Sequence, residues 1–135
     1  MIGMRVATLN LWCRHGDWPA RREVLADGFR ELRPDVIAFQ ESIVTDDYDQ
    51  IADLLGDEYE IHHGGGRTPH DGAGATIASR WPVTKLHERD LGVTSRVDPG
   101  EPWIGRVYAA EIGGPEPLLF VNHKPSWQIT FERER

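Results

Sequence analysis

The first 56 residues of the chain show two spacings of apolar side chains, one typical of strands and one typical of helices. Residues 4–12 alternate between apolar and polar positions, which predicts a strand with one buried face. The predicted strand at 35–40 is apolar without alternation from Val36 to Phe39, as expected of an inner strand that is covered on both faces. Apolar stripes with helical spacing run through 19–32, after the N-cap candidate Asp17, and through 46–55. The predicted order is therefore strand, helix, strand, helix.

Beyond residue 58 the helical spacing gives way to short apolar runs that are separated by turn residues. The predicted strands cover 58–62, 73–79, 83–90, 104–112 and 117–122. The last strand contains four apolar residues in succession, Leu118 to Val121, and is predicted to be the central strand of the sheet. This order predicts an α/β fold in which one mixed sheet carries two helices on one of its faces.

Two of these strands need more cover than the predicted helices provide. The runs Val36 to Phe39 and Leu118 to Val121 need apolar neighbours on both faces, whereas two helices can cover only one face of a sheet. We therefore expect residues 1–135 to be the N-terminal part of a single domain, truncated at its C-terminus, with a second sheet missing. Such a fragment would expose an apolar face, through which it would self-associate or pair with a complementary partner.

Composition excludes some classes of function. The net charge is −7 and the arginines are scattered along the chain, which disfavours a simple DNA-binding module. No apolar run approaches the roughly 20 residues that a membrane-spanning helix needs, so no membrane span is expected. Cys13 is the only cysteine, which excludes an intrachain disulfide and fits a reducing compartment, and we expect a cytoplasmic location.

Polar side chains of complementary chemistry end three of the apolar strands. Asn10 and Glu41 follow strands that run parallel if a helix connects them, so both are expected at the same edge of the sheet. A carboxylate beside apolar surface needs a partner, and Mg²⁺ is often held by one or two carboxylates together with water and substrate phosphate. The amide of Asn10 can hold a carboxylate in place, and His123 can transfer a proton or stabilise phosphoryl charge. Their convergence favours a metal-assisted site.

Each of these side chains also has an ordinary structural explanation. Glu41 could cap the next turn, Asn10 could satisfy the backbone of the following loop, and His123 could be a water-exposed strand end. Arg80 ends another apolar strand, where its guanidinium could meet a phosphate or form a structural ion pair. Asn122, beside His123, is a further candidate for substrate contact.

Four segments carry a resemblance to a known family: VATLNLW at 6–12, PDVIAFQE at 34–41, GAGATIASRWPV at 72–83 and LLFVNHKPS at 118–126. Their order and spacing resemble the N-terminal half of the endonuclease/exonuclease/phosphatase superfamily, which includes DNase I-like nucleases, abasic-site endonucleases, neutral sphingomyelinases and inositol-polyphosphate 5-phosphatases. The resemblance implies a four-layer α/β/β/α sandwich. It also implies a Mg²⁺- or Mn²⁺-dependent hydrolase of phosphodiester or phosphomonoester bonds, whose substrate stays open between nucleic acid, nucleotide, lipid and inositol phosphate.

The resemblance implies roles for individual residues. Glu41 corresponds to the Mg²⁺-binding glutamate of the family, and Asn10 to the asparagine that organises the metal and the scissile phosphate. His123 corresponds to a histidine that binds or protonates the phosphate, although the sequence here is VNHKP instead of NTHL. Arg106 lies where some members place an arginine that contacts the phosphate.

Two later motifs of the superfamily have no counterpart in this sequence. One is the GDFN-like loop, which supplies the aspartate that activates the nucleophile, and the other is the terminal SDH motif, which supplies an aspartate and the catalytic histidine. We therefore expect the metal-binding half of a hydrolase, inactive as this fragment. The alternative is a non-catalytic fragment or interaction module that pairs through its exposed sheet face.

Overall fold

A computed structural model describes residues 3–91 and 106–125 of the 135-residue chain. These residues form the helices α1 (Trp18–Leu32) and α2 (Gln50–Leu55) and a 3₁₀ turn at Gly56–Glu58. Their strands are β1 (Val6–Asn10), β2 (Val36–Ile43), β3 (Glu60–His63), β4 (Ala73–Ser79), β5 (Val83–Asp90), β6 (Arg106–Ile112) and β7 (Leu118–His123). Positions 104 and 105 of the predicted strand 104–112 lie outside the described residues. Neither of these helices has the length and apolar character that crossing a membrane requires.

The first sheet has the strand order β1-β2-β4-β3. β1 and β2 are parallel and are connected through α1, whereas β4 pairs antiparallel with both β2 and β3. The side chains of Val36, Ile37 and Phe39 on β2 are completely buried, which confirms the predicted inner strand. Asn10 pairs with Gln40, so the end of β1 lies beside the residue that precedes Glu41.

The later strands form a separate sheet of order β5-β6-β7, so the prediction of one mixed sheet with the second sheet missing is wrong. The chain changes sheet at Trp81 and Pro82, between β4 and β5. Proline has no N–H with which to continue the ladder of β4. The carbonyl of Pro82 instead accepts a hydrogen bond from the N–H of Gly113, just after β6. This contact starts the pairing of β5 with β6.

The two sheets pack face to face through an apolar cluster. Tyr108, Ala110 and Ile112 of β6 pack with Val36 and Ile77 of the first sheet. The opposite face of the first sheet packs against both helices in a second cluster, whose buried members are Leu11, Trp18, Phe29, Ile37, Phe39, Ile51, Leu54 and Ala78. The described layers are therefore helices, first sheet and second sheet, and the four-layer sandwich stays a prediction.

β7 lies beside β6 in the second sheet, which corrects the prediction that Leu118–Val121 is the central strand of the first sheet. Leu118 and Phe120 face the first sheet, whereas Leu119 and Val121 are 59% and 50% exposed on the other face of the second sheet. We refer to that other face as the outer face. Exposed apolar side chains are common, so an apolar run does not by itself require cover on both sides.

α1 begins after Asp17, whose carboxylate accepts a hydrogen bond from the backbone N–H three residues later, as the sequence predicted. Trp18 and Phe29 are buried against the first sheet. Val24 and Leu32, which the helical spacing places on the same buried stripe, are exposed instead. α1 therefore contacts the sheet along a narrower stripe than the sequence predicts.

α2 is shorter than its predicted range of 46–55 and begins at Gln50. The reason is the cap, because the carboxylate of Asp49 accepts hydrogen bonds from the N–H groups of Ile51 and Ala52. The preceding acidic residues therefore lie outside the helix. Gly56 follows the last helical residue, as predicted.

Candidate active site

The backbone of β2 bulges at Gln40 and Glu41. These two residues lie opposite the single residue Ala75 of β4, and β2 then continues to Ile43 instead of ending at residue 40 as predicted. Glu41 has a φ of 54°, in the left-handed region that side chains other than glycine rarely adopt. Regular alternation would direct residue 41 towards the helices, on the side of Phe39. The extra residue instead allows Glu41 to face the second sheet.

The chain that follows β1 stays hydrogen-bonded to this bulge. The N–H of Leu11 donates to the carbonyl of Gln40 at 2.8 Å, and the N–H of Cys13 donates to the carbonyl of Glu41 at 3.0 Å. These bonds continue the pairing of the two parallel strands beyond Asn10 and place its side chain next to that of Glu41. The sequence prediction that Asn10 and Glu41 share one edge of the sheet is therefore met by the geometry.

The amide of Asn10 orients the carboxylate of Glu41. Asn10 Nδ2 donates to Glu41 Oε1 at 3.1 Å, and Asn10 Oδ1 accepts from the backbone N–H of Trp12 at 2.9 Å. The N–H of Trp12 requires an oxygen acceptor, so this network sets the orientation of the amide. Asn10 thus presents an N–H to the site, which suits the predicted role of holding a carboxylate in place better than the role as a metal ligand that the family resemblance implies.

Lys124 was missed as a site residue. Its Nζ lies 2.5 Å from Glu41 Oε1, and the side chains of Lys124 and Glu41 are 29% and 16% exposed. Burial alone would raise the pKa of Glu41, but hydrogen bonds from Lys124 and Asn10 outweigh it, so the pKa lies below its usual value. The carboxylate is therefore ionised at neutral pH and paired with a cation.

Asn122 ties the two sheets together directly below this pair. It is 2% exposed, and its Nδ2 donates to the carbonyls of Phe39 and Thr76 at 2.8 and 3.0 Å. Its Oδ1 accepts from Gln40 Nε2 at 2.8 Å. Each polar atom of the amide has a protein partner, so the geometry assigns Asn122 to the support of the site and not to substrate contact.

His123 does not join Asn10 and Glu41, which corrects the predicted convergence of these three side chains. Successive side chains of a strand point to opposite faces, and Asn122 faces the first sheet. His123 therefore lies on the outer face, where its Nδ1 is 3.2 Å from the carbonyl oxygen of Arg106. By the same alternation, Lys124 is the next residue after Asn122 that faces the first sheet. This alternation is the sequence signal that could have identified Lys124 as a site residue.

The cleft beside Glu41 lies between the two sheets and has a glycine-rich wall. Its lining includes Gly64–Gly66, Glu88, Arg106 and Lys124. Arg106 Nη1 is 3.2 Å from Glu88 Oε1, and the N–H of Gly65 donates to the same carboxylate at 3.2 Å. A Cβ at Gly66 would lie 2.4 Å from Arg106 Nε, so a larger residue there would push the side chain of this arginine aside. Arg106 thus brings a second positive side chain to the cleft.

Arg80 lies away from the cleft, in contrast to its predicted role in substrate binding. Its backbone N–H donates to the carbonyl of Asp35, at the start of β2, whereas Glu41 is six residues further along the same strand. Six strand residues span about 20 Å. Its guanidinium is 3.4 Å from the carboxylate of Glu58 and 5.7 Å from the ring centre of Tyr59. The ion-pair interpretation of Arg80 fits this geometry.

Arg67 supports the bulge from behind and was also missed. Its Nη1 donates to the carbonyls of Ser42 and Gly72 at 2.7 and 2.8 Å. Its Nη2 donates to the carbonyl of Ala75 at 2.9 Å and to Thr76 Oγ1 at 2.7 Å. One guanidinium thereby links β2, just after the bulge, to the facing part of β4. Nothing in the spacing of Arg67 along the sequence indicates this role, because three of these four partners are backbone carbonyls.

Comparison with known proteins identifies the family. The sequence profile of the Endonuclease/Exonuclease/phosphatase family matches residues 7–127. The chain belongs to this family. Among curated proteins, none matches the chain significantly.

Three solved structures show the same fold as this endonuclease/exonuclease/phosphatase chain. An endonuclease/exonuclease/phosphatase family protein from Leptotrichia buccalis C-1013-b has a TM-score of 0.70 and 15% identity, over 92% of this chain and 54% of that chain. D. rerio TDP2 complexed with single strand DNA product has a TM-score of 0.68 and 14% identity, over 96% and 49%. An AP endonuclease from Archaeoglobus fulgidus has a TM-score of 0.55 and 20% identity, over 83% and 38%.

These identities show similarity of fold alone, and the chain spans between 38% and 54% of the length of those three structures. The prediction that residues 1–135 are the N-terminal part of one larger domain stays a prediction.

The donor chemistry of the cleft can be compared with what a divalent metal needs. Enzymes of this family generally use divalent metals. In residues 3–91 and 106–125 no group of three or more His, Cys, Asp or Glu side chains comes together to hold an ion. Mg²⁺ needs fewer, because it keeps several waters and binds through one or two carboxylates and substrate phosphate. Glu41, ionised and already facing a cation, has the donor chemistry that fits such a site.

Proposed function

We propose that this chain carries the cation-binding side of a hydrolase site for phosphate esters, in which Glu41 holds Mg²⁺ or Mn²⁺. The observation that carries the proposal is the position of the Glu41 carboxylate. The bulge turns it towards the second sheet, and it is hydrogen-bonded to Asn10 and paired with the ammonium of Lys124. Family membership supports hydrolysis of a phosphodiester or a phosphomonoester.

The residues around Glu41 have separate roles in this proposal. A divalent cation held there would polarise the phosphate and offset the negative charge that develops during hydrolysis. Asn10 keeps the carboxylate in one orientation. Lys124 and Arg106 balance the carboxylates of Glu41 and Glu88 in the cleft, so a divalent cation there would leave a net positive charge that favours an anionic substrate. Asn122 holds the sheets together and so fixes the distance between the two sides of the cleft.

Several phosphate esters are candidate substrates. Single-stranded DNA is one of them, because the similar D. rerio TDP2 is solved with a single strand DNA product. The net charge of −7 makes long duplex DNA less favourable than a short strand, a nucleotide, a lipid or an inositol phosphate. The positive groups of the cleft, Lys124 and Arg106, suit any of these small anionic groups.

The chain alone is proposed to bind the cation with little or no turnover. The reason is that the GDFN-like and SDH motifs, which the family resemblance links to nucleophile activation and catalysis, have no counterpart in this sequence. A protein that contains this chain together with those motifs would have the complete site. Its hydrolysis of bis(p-nitrophenyl) phosphate or p-nitrophenyl phosphate should require Mg²⁺ or Mn²⁺ and stop on addition of EDTA.

Glu41→Gln tests the proposal, with Glu31→Gln as the matched control on the exposed surface of α1. Calorimetric titration of the chain with Mn²⁺ should show binding that Glu41→Gln abolishes and Glu31→Gln retains. In the complete protein, Glu41→Gln should reduce hydrolysis by several orders of magnitude, because the cation would lose its carboxylate. Unchanged Mn²⁺ affinity in Glu41→Gln would contradict the assignment.

A second candidate function is association through the outer face of the second sheet. Leu119 and Val121 are exposed side by side on that face, on the edge strand of the described sheet. A non-catalytic module would use such a surface to pair with a second copy or another protein. Sedimentation velocity should then show a dimer that the substitution Val121→Lys converts to a monomer, and a wild-type monomer at all concentrations would exclude self-association.

A further inference from the structure

Lys124 occupies the position where a cation meets Glu41. Its Nζ lies 2.5 Å from Glu41 Oε1, which is also the oxygen that Asn10 contacts. Both partners are largely shielded from water, with side-chain exposures of 29% and 16%. An ion pair in such surroundings is screened less than a pair on the open surface. The carboxylate therefore already has a positive partner before any ion binds.

The placement of Lys124 follows from the direction of β7. Asn122 points towards the first sheet and is held there by the carbonyls of Phe39 and Thr76. Lys124 is two residues further and so points the same way, into the cleft that Arg106 also lines. The long side chain of lysine has three freely rotating donors, so its ammonium can move between neighbouring anions without backbone movement.

We propose that Lys124 is a built-in counter-cation, which pairs with Glu41 in the metal-free site and turns to the substrate phosphate when a divalent ion binds. This inference rests on the proposed function of Glu41. A divalent ion on Glu41 and an ammonium at the same oxygen would repel each other, so binding of the ion releases Lys124 into the cleft. There the ammonium becomes a contact for a phosphate oxygen, a role that sequence analysis gave to His123.

The proposal predicts effects of opposite sign for two ligands. Removing the ammonium should strengthen binding of the metal, since nothing then competes for the carboxylate. The same change should weaken binding of phosphate, since one of its cationic contacts is lost. A residue that only supports the fold would weaken both, so the sign of the metal effect separates the two explanations.

Lys124→Met provides the test, and Lys85→Met is the matched control. Lys85 and Lys124 are the two lysines of the sequence, and Lys85 lies on β5, where it pairs with Glu111. Both variants change the net charge equally. Calorimetric titration with Mn²⁺ should show about three- to tenfold tighter binding in Lys124→Met, given the strength of partly shielded ion pairs. Lys85→Met and the charge-preserving Lys124→Arg should both bind Mn²⁺ as the wild type does.

The second arm uses inorganic phosphate at saturating Mg²⁺. Lys124→Met should bind phosphate about threefold or more weakly than Lys85→Met, which is the loss expected for one charged contact. Equal phosphate affinity in the two variants would overturn the phosphate role. Equal or weaker Mn²⁺ affinity in Lys124→Met would overturn the competition. Glu41→Gln separates these failures from the main proposal, because Mn²⁺ binding that survives this change refutes the metal role of Glu41 itself.

A measurement on the wild-type chain keeps the proposal testable if Lys124→Met fails to fold. A chain labelled with ¹³C-lysine gives two Hε–Cε signals, which Lys124→Arg or Lys85→Met assigns. Addition of Mg²⁺ should shift the signal of Lys124 and leave that of Lys85 in place. Two unmoved signals at saturating Mg²⁺ would show that the ammonium does not leave Glu41, and the proposal would be wrong.

Discussion

Replacing Asn122 with alanine should separate the two sheets at the point where they position Glu41. The change removes two hydrogen bonds to the carbonyls of Phe39 and Thr76 and one from Gln40. Gln40 keeps a second contact, because its Nε2 also lies 3.1 Å from Thr8 Oγ1. The two carbonyls are left in a buried place without this donor, at about 1–3 kcal/mol each. We expect Asn122→Ala to lower the free energy of unfolding by about 2–6 kcal/mol.

Urea denaturation followed by circular dichroism measures this loss. A decrease of that size is a large part of the total free energy of unfolding, which is roughly 5–15 kcal/mol for typical folded domains. The matched control is His123→Ala, one residue further on the same strand but on the outer face, where we expect a loss of about 0.5 kcal/mol or less. If Asn122→Ala costs no more than His123→Ala, Asn122 does not join the sheets as described, and the explanation for the position of Glu41 fails with it.

Three further predictions concern the backbone, the pH dependence and the cysteine. Gly72→Ala should lower the free energy of unfolding by more than about 2 kcal/mol in urea, because its φ is +72° and a Cβ would lie 1.9 Å from a backbone carbonyl oxygen. Gly28→Ala, inside α1 with open space around its Cβ, should instead stabilise by about 0.5–1 kcal/mol. Stability should rise from about pH 4 to pH 7. Burial lowers the pKa of His63 below 6.5, and hydrogen bonds outweigh burial to hold the pKa of Asp49 below 3.8. The unfolded chain therefore binds more protons than the folded chain over this range. His63→Asn should flatten the rise near pH 6 in denaturation at fixed pH values. Burial raises the pKa of the Cys13 thiol to about 11, so iodoacetamide at about pH 8 should modify it far more slowly than in the urea-unfolded chain, and equal rates would contradict its burial.

Local patterns in the sequence predicted most of the strands because each has a sharp boundary. The ranges 73–79 and 83–90 agree with β4 and β5, since Gly72 and the Trp81–Pro82 pair interrupt the apolar spacing on either side. The same Pro82 also sends the chain into a second sheet. Proline shows that a ladder stops, but the partner of the next strand depends on contacts with residues about thirty positions away. The single predicted sheet was therefore wrong although its strands were nearly right.

The candidate site was predictable in part for the same reason. Asn10 and Glu41 follow apolar strands that any parallel connection brings together, and the geometry places them in contact. The bulge at residue 41 depends on Arg67 and on the β4 partner, which lie far away in the sequence. The direction of His123 depends on which face of β7 meets the first sheet, and four consecutive apolar residues do not reveal it. Lys124 was overlooked because of that ambiguity.

The left-handed backbone at Glu41 has a consequence for the evolution and engineering of this chain. Glycine or asparagine would occupy this conformation with less strain than glutamate. Directed evolution that rewards only heat resistance would therefore enrich variants that have lost the carboxylate of residue 41. Under the cation-binding role proposed for Glu41, keeping glutamate there requires a screen that scores metal binding as well as thermostability.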